Sequence, residues 1–234
     1  DWYPFSHHEY VAVNQLPHPR NYFHFKYFPD FHSALCCQGY IFTFFSKMPV
    51  TLRAKCLIVG DSAVGKSALT QVFHSDGAHF PKGYSMTVGV ELCVKNISIP
   101  DTNDTVELYI YDTAGKETYS DYAQQAWEHP SVMMVVMDVT NENSFMACNR
   151  WVERVKAKAG QHIPGVFVAN KTDLEGRRVV ERNKAEEFAK GKGLEYFECS
   201  AKEQNNTDAP FYYLANAYYK LYQERVEVMK TIAS

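Results

Sequence analysis

The stretch that decides the fold is Gly60-Asp61-Ser62-Ala63-Val64-Gly65-Lys66-Ser67, an instance of G-x-x-x-x-G-K-[ST]. Upstream, Leu52 to Val59 is a short apolar run that reads as a buried strand, and an apolar helical pattern begins at Lys66. A glycine-rich turn between a strand and a helix is the context this motif requires. Its backbone N–H groups converge on phosphate oxygens at a helix N-terminus, with Ala68 opening the helix behind them. In that role Lys66 reaches the β and γ phosphates and the Ser67 hydroxyl is a ligand for Mg²⁺.

Working outward, the pattern of strand, loop and helix repeats to the end of the chain. Val88 to Ile99 and Thr105 to Asp112 alternate apolar and polar residues around the turn 100–104, which predicts a hairpin and one antiparallel pair. Val132 to Val139, Val166 to Ala169 and Leu194 to Cys199 read as strands buried on both faces. Helices are expected over Asn143 to Ala159, Val180 to Lys190 and Pro210 to about Met229. The last is capped by Asp208 and carries an apolar stripe through Phe211, Leu214, Ala215, Tyr218, Leu221 and Tyr222. The expected fold is therefore α/β, a mostly parallel sheet with helices on both faces and ligands at the carboxyl ends of the strands.

Three further motifs fall at such ends. Asp112-Thr113-Ala114-Gly115 closes the second hairpin strand, putting a carboxylate beside the Mg²⁺ site and the Gly115 N–H where a γ-phosphate would sit. Asn170-Lys171-Thr172-Asp173 follows the strand at Val166, and Ser200-Ala201-Lys202 follows the strand at Leu194. The Asp173 carboxylate can accept from both N1–H and the 2-amino group of guanine, a donor pair that adenine lacks. Leaving such buried groups unpaired selects by roughly 10⁴-fold or more.

These residues resemble the Ras superfamily of small GTPases over essentially all of 52–230. The resemblance implies a P-loop G domain with six strands, one of them an antiparallel edge, and about five helices. It implies GTP/GDP and Mg²⁺ as cofactors and GTP hydrolysis to GDP as the activity. By the same resemblance Thr87, in Ser85-Met86-Thr87-Val88-Gly89-Val90-Glu91, is the switch threonine that contacts both Mg²⁺ and the γ-phosphate. Phe80 lies against the guanine edge, and the Ala201 N–H bonds the guanine carbonyl. Metal ligands are then Ser67, Thr87 and Asp112; Lys66, Thr87, Gly115 and Lys116 surround the reacting phosphate.

Two features depart from an ordinary Rab. Lys116 stands where the superfamily usually has Gln; a protonated lysine donates but cannot accept from an attacking water, so hydrolysis should fall below the order of 10⁻⁴ per second typical without an activating protein. The tail Val226-Glu227-Val228-Met229-Lys230-Thr231-Ile232-Ala233-Ser234 offers no Cys for prenylation, so we expect no lipid anchor. With Ser75 to Phe80, Asn170 to Arg178 and Asp208 to Phe211, these features are similar to the Rab-like GTPases of intraflagellar transport. That likeness implies a GTP-binding subunit of intraflagellar transport complex B at the cilium or flagellum, its base and the cytoplasm. It implies a heterodimer with a calcium-binding jelly-roll partner, intraflagellar transport protein 25, and a role in export of the Bardet-Biedl cargo adaptor and in hedgehog signalling. A cycling Rab of vesicle traffic and a nucleotide-bound structural module are the alternatives. Five tyrosines on the last helix, Tyr212, Tyr213, Tyr218, Tyr219 and Tyr222, exceed what one packing face needs and suggest a partner surface.

Composition bounds the rest. The net charge of -3 gives no electrostatic footprint for nucleic acid. Cys36, Cys37, Cys56, Cys93, Cys148 and Cys199 show no metal-ligand spacing and read as reduced thiols. Residues 1–47 stand apart, with 14 of the 34 aromatics and five of the nine His (His7, His8, His18, His24, His32). An aromatic docking arm or a histidine metal tract is one reading. We expect instead a disordered segment or one that is not native coding sequence, with Met48 as the natural start and residues 48–234 as the G domain.

Overall fold

The computed structural model describes residues 49–83, 85–115 and 124–233. The expectations for 1–47, for Met48 as a start and for Lys116 lie outside them. Six strands form one sheet: β1 (Thr51–Val59), β2 (Val90–Ser98), β3 (Thr105–Thr113), β4 (Val132–Asp138), β5 (Gly165–Asn170) and β6 (Glu195–Glu198), in spatial order β2-β3-β1-β4-β5-β6. Among these strands of the described residues only the β2–β3 pair is antiparallel. The α-helices are α1 (Lys66–His74), α2 (Glu142–Ala159), α3 (Arg182–Lys192) and α4 (Ala209–Ala233); Gln124–Trp127 and Thr172–Arg177 are 3-10 helices.

Strand periodicity sorts the core into two layers. On β1, Ala54, Cys56 and Ile58 face Leu69 and Phe73 of α1 and Phe211, Leu214 and Ala215 of α4. Leu57 and Val59 face Phe145, Trp151 and Val152 of α2 and Ala185 of α3. Across the first layer Phe73 and Phe211 stack with centroids 4.0 Å apart, which locks α1 against α4. Because β1 pairs with β3 on one side and β4 on the other, chain order reverses beside it, and the loop after β1 opens at this switch point. The register Ile58↔Asp112 sets the end of β3 beside that loop.

Four local expectations change. β2 starts at Val90 rather than Val88, because Gly89 takes φ 83 and turns the chain. β6 is not buried on both faces: it is an edge strand with Glu195 exposed and Tyr196 to Glu198 half-buried, since β5 is its one neighbour in the sheet. Its glutamates suit an edge that must not recruit another strand. α3 begins at Arg182 because the N–H groups of Val179 and Val180 both donate to the Val139 carbonyl, tying Val180 to the end of β4. Finally, α4 runs on to Ala233, and its packing stripe ends at buried Tyr219 rather than continuing through Leu221 and Tyr222, which are half-buried. Asp208 opens this helix through its carbonyl, which accepts from Phe211 and Tyr212.

Candidate functional site

The loop after β1 is held open by backbone conformations and closed around a lysine. Gly60 takes φ 145, and a Cβ there would lie 2.2 Å from the Val136 carbonyl oxygen, so β4 passes too close for any side chain. Ala63 and Gly65 are also left-handed, at φ 62 and 98. Lys66, at the first turn of α1, curls back so that Nζ donates to the Gly60 and Asp61 carbonyls, both at 2.8 Å. Burial lowers its pKa to about 8 against the opposing pull of Asp112 and Asp61. A buried ammonium held by two carbonyls gains from an anion brought to it.

Beside it, three oxygens from three elements converge. Ser67 Oγ donates to Asp112 Oδ2 at 2.5 Å and lies 3.0 Å from Thr87 Oγ1, which in turn is 3.5 Å from the same carboxylate oxygen. Asp112 is 1 % exposed; burial raises its pKa, and the Ser67 hydrogen bond and Lys66 charge oppose the rise. Among the described residues its other oxygen, Oδ1, is buried without a hydrogen-bond partner. Two hydroxyls and a carboxylate with an unpartnered buried oxygen form the hard, anionic donor set that suits Mg²⁺. Gly115 completes this end: a Cβ on it would meet Ser62 N at 2.4 Å, so the chain after β3 lies directly on the β1 loop.

The loops after β5 and β6 are prewired. Asn170, 1 % exposed at the end of β5, donates from Nδ2 to the Val64 carbonyl at 2.8 Å and accepts at Oδ1 from the Ala201 N–H at 3.2 Å. It thus staples the β1 loop to the loop after β6. The Ala201 N–H expected to meet guanine is engaged here by Asn170. Asp173 accepts from Ser200 Oγ at 2.7 Å, with Lys202 Nζ at 3.9 Å from its second oxygen. Lys171, at φ 68, pairs with Asp138 at 2.6 Å. A cavity of about 360 Å³ runs from Ser62, Ala63, Gly65, Lys66, Ser67 and Ala68 to Phe80 and Lys171. Phe80 borders it at 37 % exposure, as a ring waiting for a flat partner would.

Three contributors escaped the sequence reading. Asp138 ends β4 in register with Asn170 at the end of β5, a charged group closing an apolar run, and that signal could have found it. Thr113 lines the cavity and donates to the Ile58 carbonyl at 2.7 Å. Trp151 of α2 is 1 % exposed and donates from Nε1 to Asp61 Oδ1 at 3.2 Å across 90 residues, a contact that no local pattern announces.

This fold, with a glycine loop curled around Lys66, convergent oxygens at Ser67, Thr87 and Asp112, and an Asp173 side chain 7% exposed after β5, defines a class. The sequence model of the Ras family matches residues 55–220, and the chain belongs to that family of small GTPases, whose members bind guanine nucleotides and typically Mg²⁺. More particularly, it is similar to the intraflagellar transport protein 27 homolog of Homo sapiens, with 52% identity over 185 residues that cover 79% of this chain and 100% of that one. It is similar to intraflagellar transport protein 27 of Chlamydomonas reinhardtii at 40% over 181 residues, 75% of this chain and 89% of that one. Similarity to the Ras-related protein Rab-30 of Homo sapiens is 34% over 161 residues, 69% of this chain and 77% of that one.

Proposed function

We propose that the chain is a GTP-binding subunit of intraflagellar transport that hydrolyses GTP very slowly. The observation that carries the nucleotide reading is the meeting of Ser67, Thr87 and Asp112 around an unpartnered carboxylate oxygen beside buried Lys66. In this reading Lys66 exchanges its two carbonyl partners for the β and γ phosphates, and backbone N–H groups of 61–68 and of Gly115 line the remaining phosphate oxygens. Ser67, Thr87 and Asp112 would hold Mg²⁺, which would supply charge neutralisation to the phosphates. Asp173 reads the guanine donor pair, while Asn170 and Ser200 keep the loops that frame it in register and Phe80 covers its edge. Lys116 cannot accept a hydrogen bond from the attacking water, so the ground state persists.

The transport assignment is supported by 52% identity over the whole of a relative named for intraflagellar transport, against 34% to a Rab. From it follow the cilium or flagellum, its base and the cytoplasm as locations, complex B as the assembly and intraflagellar transport protein 25 as the heterodimer partner, with adaptor export and hedgehog signalling downstream. The exposed end of α4, where Val228, Met229 and Ile232 lie outside the packed core, supports a partner surface. We take the G domain as 48–234, a reading that the compact unit Met48–Ser234 and the Ras-family match at 55–220 support. Tagged protein purified from ciliated cells tests the reading. Near 1:1 recovery of a jelly-roll partner with complex B subunits is expected; vesicle-traffic regulators without them would refute it. Truncation after Tyr222 should release the partner, and retained binding would remove α4 from the interface.

A further inference from the structure

The loop after β6 reaches the segment that leads to Phe80, which borders the cavity. Ser200 and Asn205 exchange backbone hydrogen bonds at 3.0 Å each, and Ser200 Oγ also accepts from the Glu203 N–H at 3.1 Å while donating to Asp173. Asn206 Nδ2 donates back to the Glu198 carbonyl at 2.9 Å. From this stiff loop Gln204, itself at φ 56, projects its amide so that Nε2 donates to the Gly77 carbonyl at 2.7 Å. Gly77 takes φ 80, and a Cβ on it would lie 2.7 Å from Gln204 Oε1, so the amide packs flat on a backbone that only glycine supplies.

Gly77 is the root of the segment leading to Phe80. On its helix side its N–H donates to Val72 at 2.9 Å, and neighbouring Asp76 pairs with Lys95 of β2 at 2.6 Å. From Gly77 the chain runs past Phe80 to Thr87 at the oxygen cluster. We propose that Gln204 is a positioning residue that latches the base-recognition loop to the root of the Phe80 segment, and thereby sets how fast bound guanine nucleotide leaves. Base contacts at Asp173 and ring contacts at Phe80 then share one rigid frame, so opening either wall for release requires breaking the Gln204–Gly77 bond. The bond lies at the exposed rim and spans 127 residues of sequence, so its loss bears on gating of the cavity rather than on the core.

This inference rests on the guanine-nucleotide reading, and the experiment separates the two. The full chain is loaded with fluorescent (methylanthraniloyl) GDP and Mg²⁺, and dissociation is followed after a chase of unlabelled GDP. Gln204→Ala, and the isosteric Gln204→Glu that lacks the donor, are expected to speed release about fivefold, the value of one ordinary hydrogen bond, with unchanged melting of nucleotide-free protein. Phe80→Ala speeds release on its own, and adding Gln204→Ala to it is expected to add less than twofold, because both act through one segment. Wild-type protein that takes up no labelled GDP would overturn the nucleotide reading itself. Wild-type protein that binds, with less than twofold change in both Gln204 variants or full multiplicativity with Phe80→Ala, would overturn the latch alone.

Discussion

At the phosphate end of the cavity, Lys66 and Asp112 are ionisable groups withdrawn from water, each with its pKa displaced toward the neutral form and one carboxylate oxygen left unpartnered. At the base end, Asn170 is equally buried but both sides of its amide are engaged, and Asp173 is held by Ser200. The first arrangement is costly until a polyanion and a divalent cation arrive. The second is already satisfied and gives the site its shape. A bound phosphate and metal would therefore relieve the cost of the first arrangement, whereas selectivity depends on a frame that precedes the ligand.

That contrast can be broken or sharpened by substitution. The largest effect is expected from Asp173→Asn, which replaces the acceptor for guanine N1–H and 2-amino with a mixed donor and acceptor. Guanine affinity should fall about 10³- to 10⁴-fold while xanthine nucleotide, whose edge carries an acceptor there, gains; competition binding reads both. Retained guanine preference would remove Asp173 from the base pocket. Next is Ser67→Ala, which takes away one proposed metal ligand and the donor to Asp112. Nucleotide affinity in Mg²⁺ should fall about 100-fold, with little loss in EDTA, and an equal loss in both would make Ser67 structural.

Smaller effects test the edges of the account. Lys116→Gln supplies a side chain that donates and accepts at once, and single-turnover hydrolysis should rise about tenfold; an unchanged rate would remove Lys116 from the proposal of slow turnover. Trp151→Phe keeps an aromatic ring in the α2 layer but deletes the donor to Asp61. Nucleotide affinity is expected to fall about fivefold, measured by titration calorimetry, and no change would mean that the β1 loop holds its form without α2.

Much of this site was legible in the chain because each motif marks the end of a strand. Gly60 to Ser67, Asp112 and Asn170 to Asp173 could be placed from apolar runs that stop at glycine or at a charge. What sequence could not supply is which ends are neighbours. Asn170 reaching Val64, Trp151 reaching Asp61 and Gln204 reaching Gly77 all follow from the order β2-β3-β1-β4-β5-β6, which local periodicity does not encode. The same limit explains β6, whose bracketing Leu194 and Cys199 are buried while the strand between them is an edge. It also explains α4: a stripe at helical spacing says which residues share a face, and the extent of the sheet decides that burial ends at Tyr219.

The most direct test of the central claim is the nucleotide content of the purified full chain, released by denaturation and identified by chromatography, with metal measured on the same sample. Close to one guanine nucleotide and one Mg²⁺ per chain is the predicted result, since buried Lys66 and the unpartnered oxygen of Asp112 favour occupancy. Protein that is folded, takes up no added GDP or GTP and carries neither nucleotide nor metal would contradict the account.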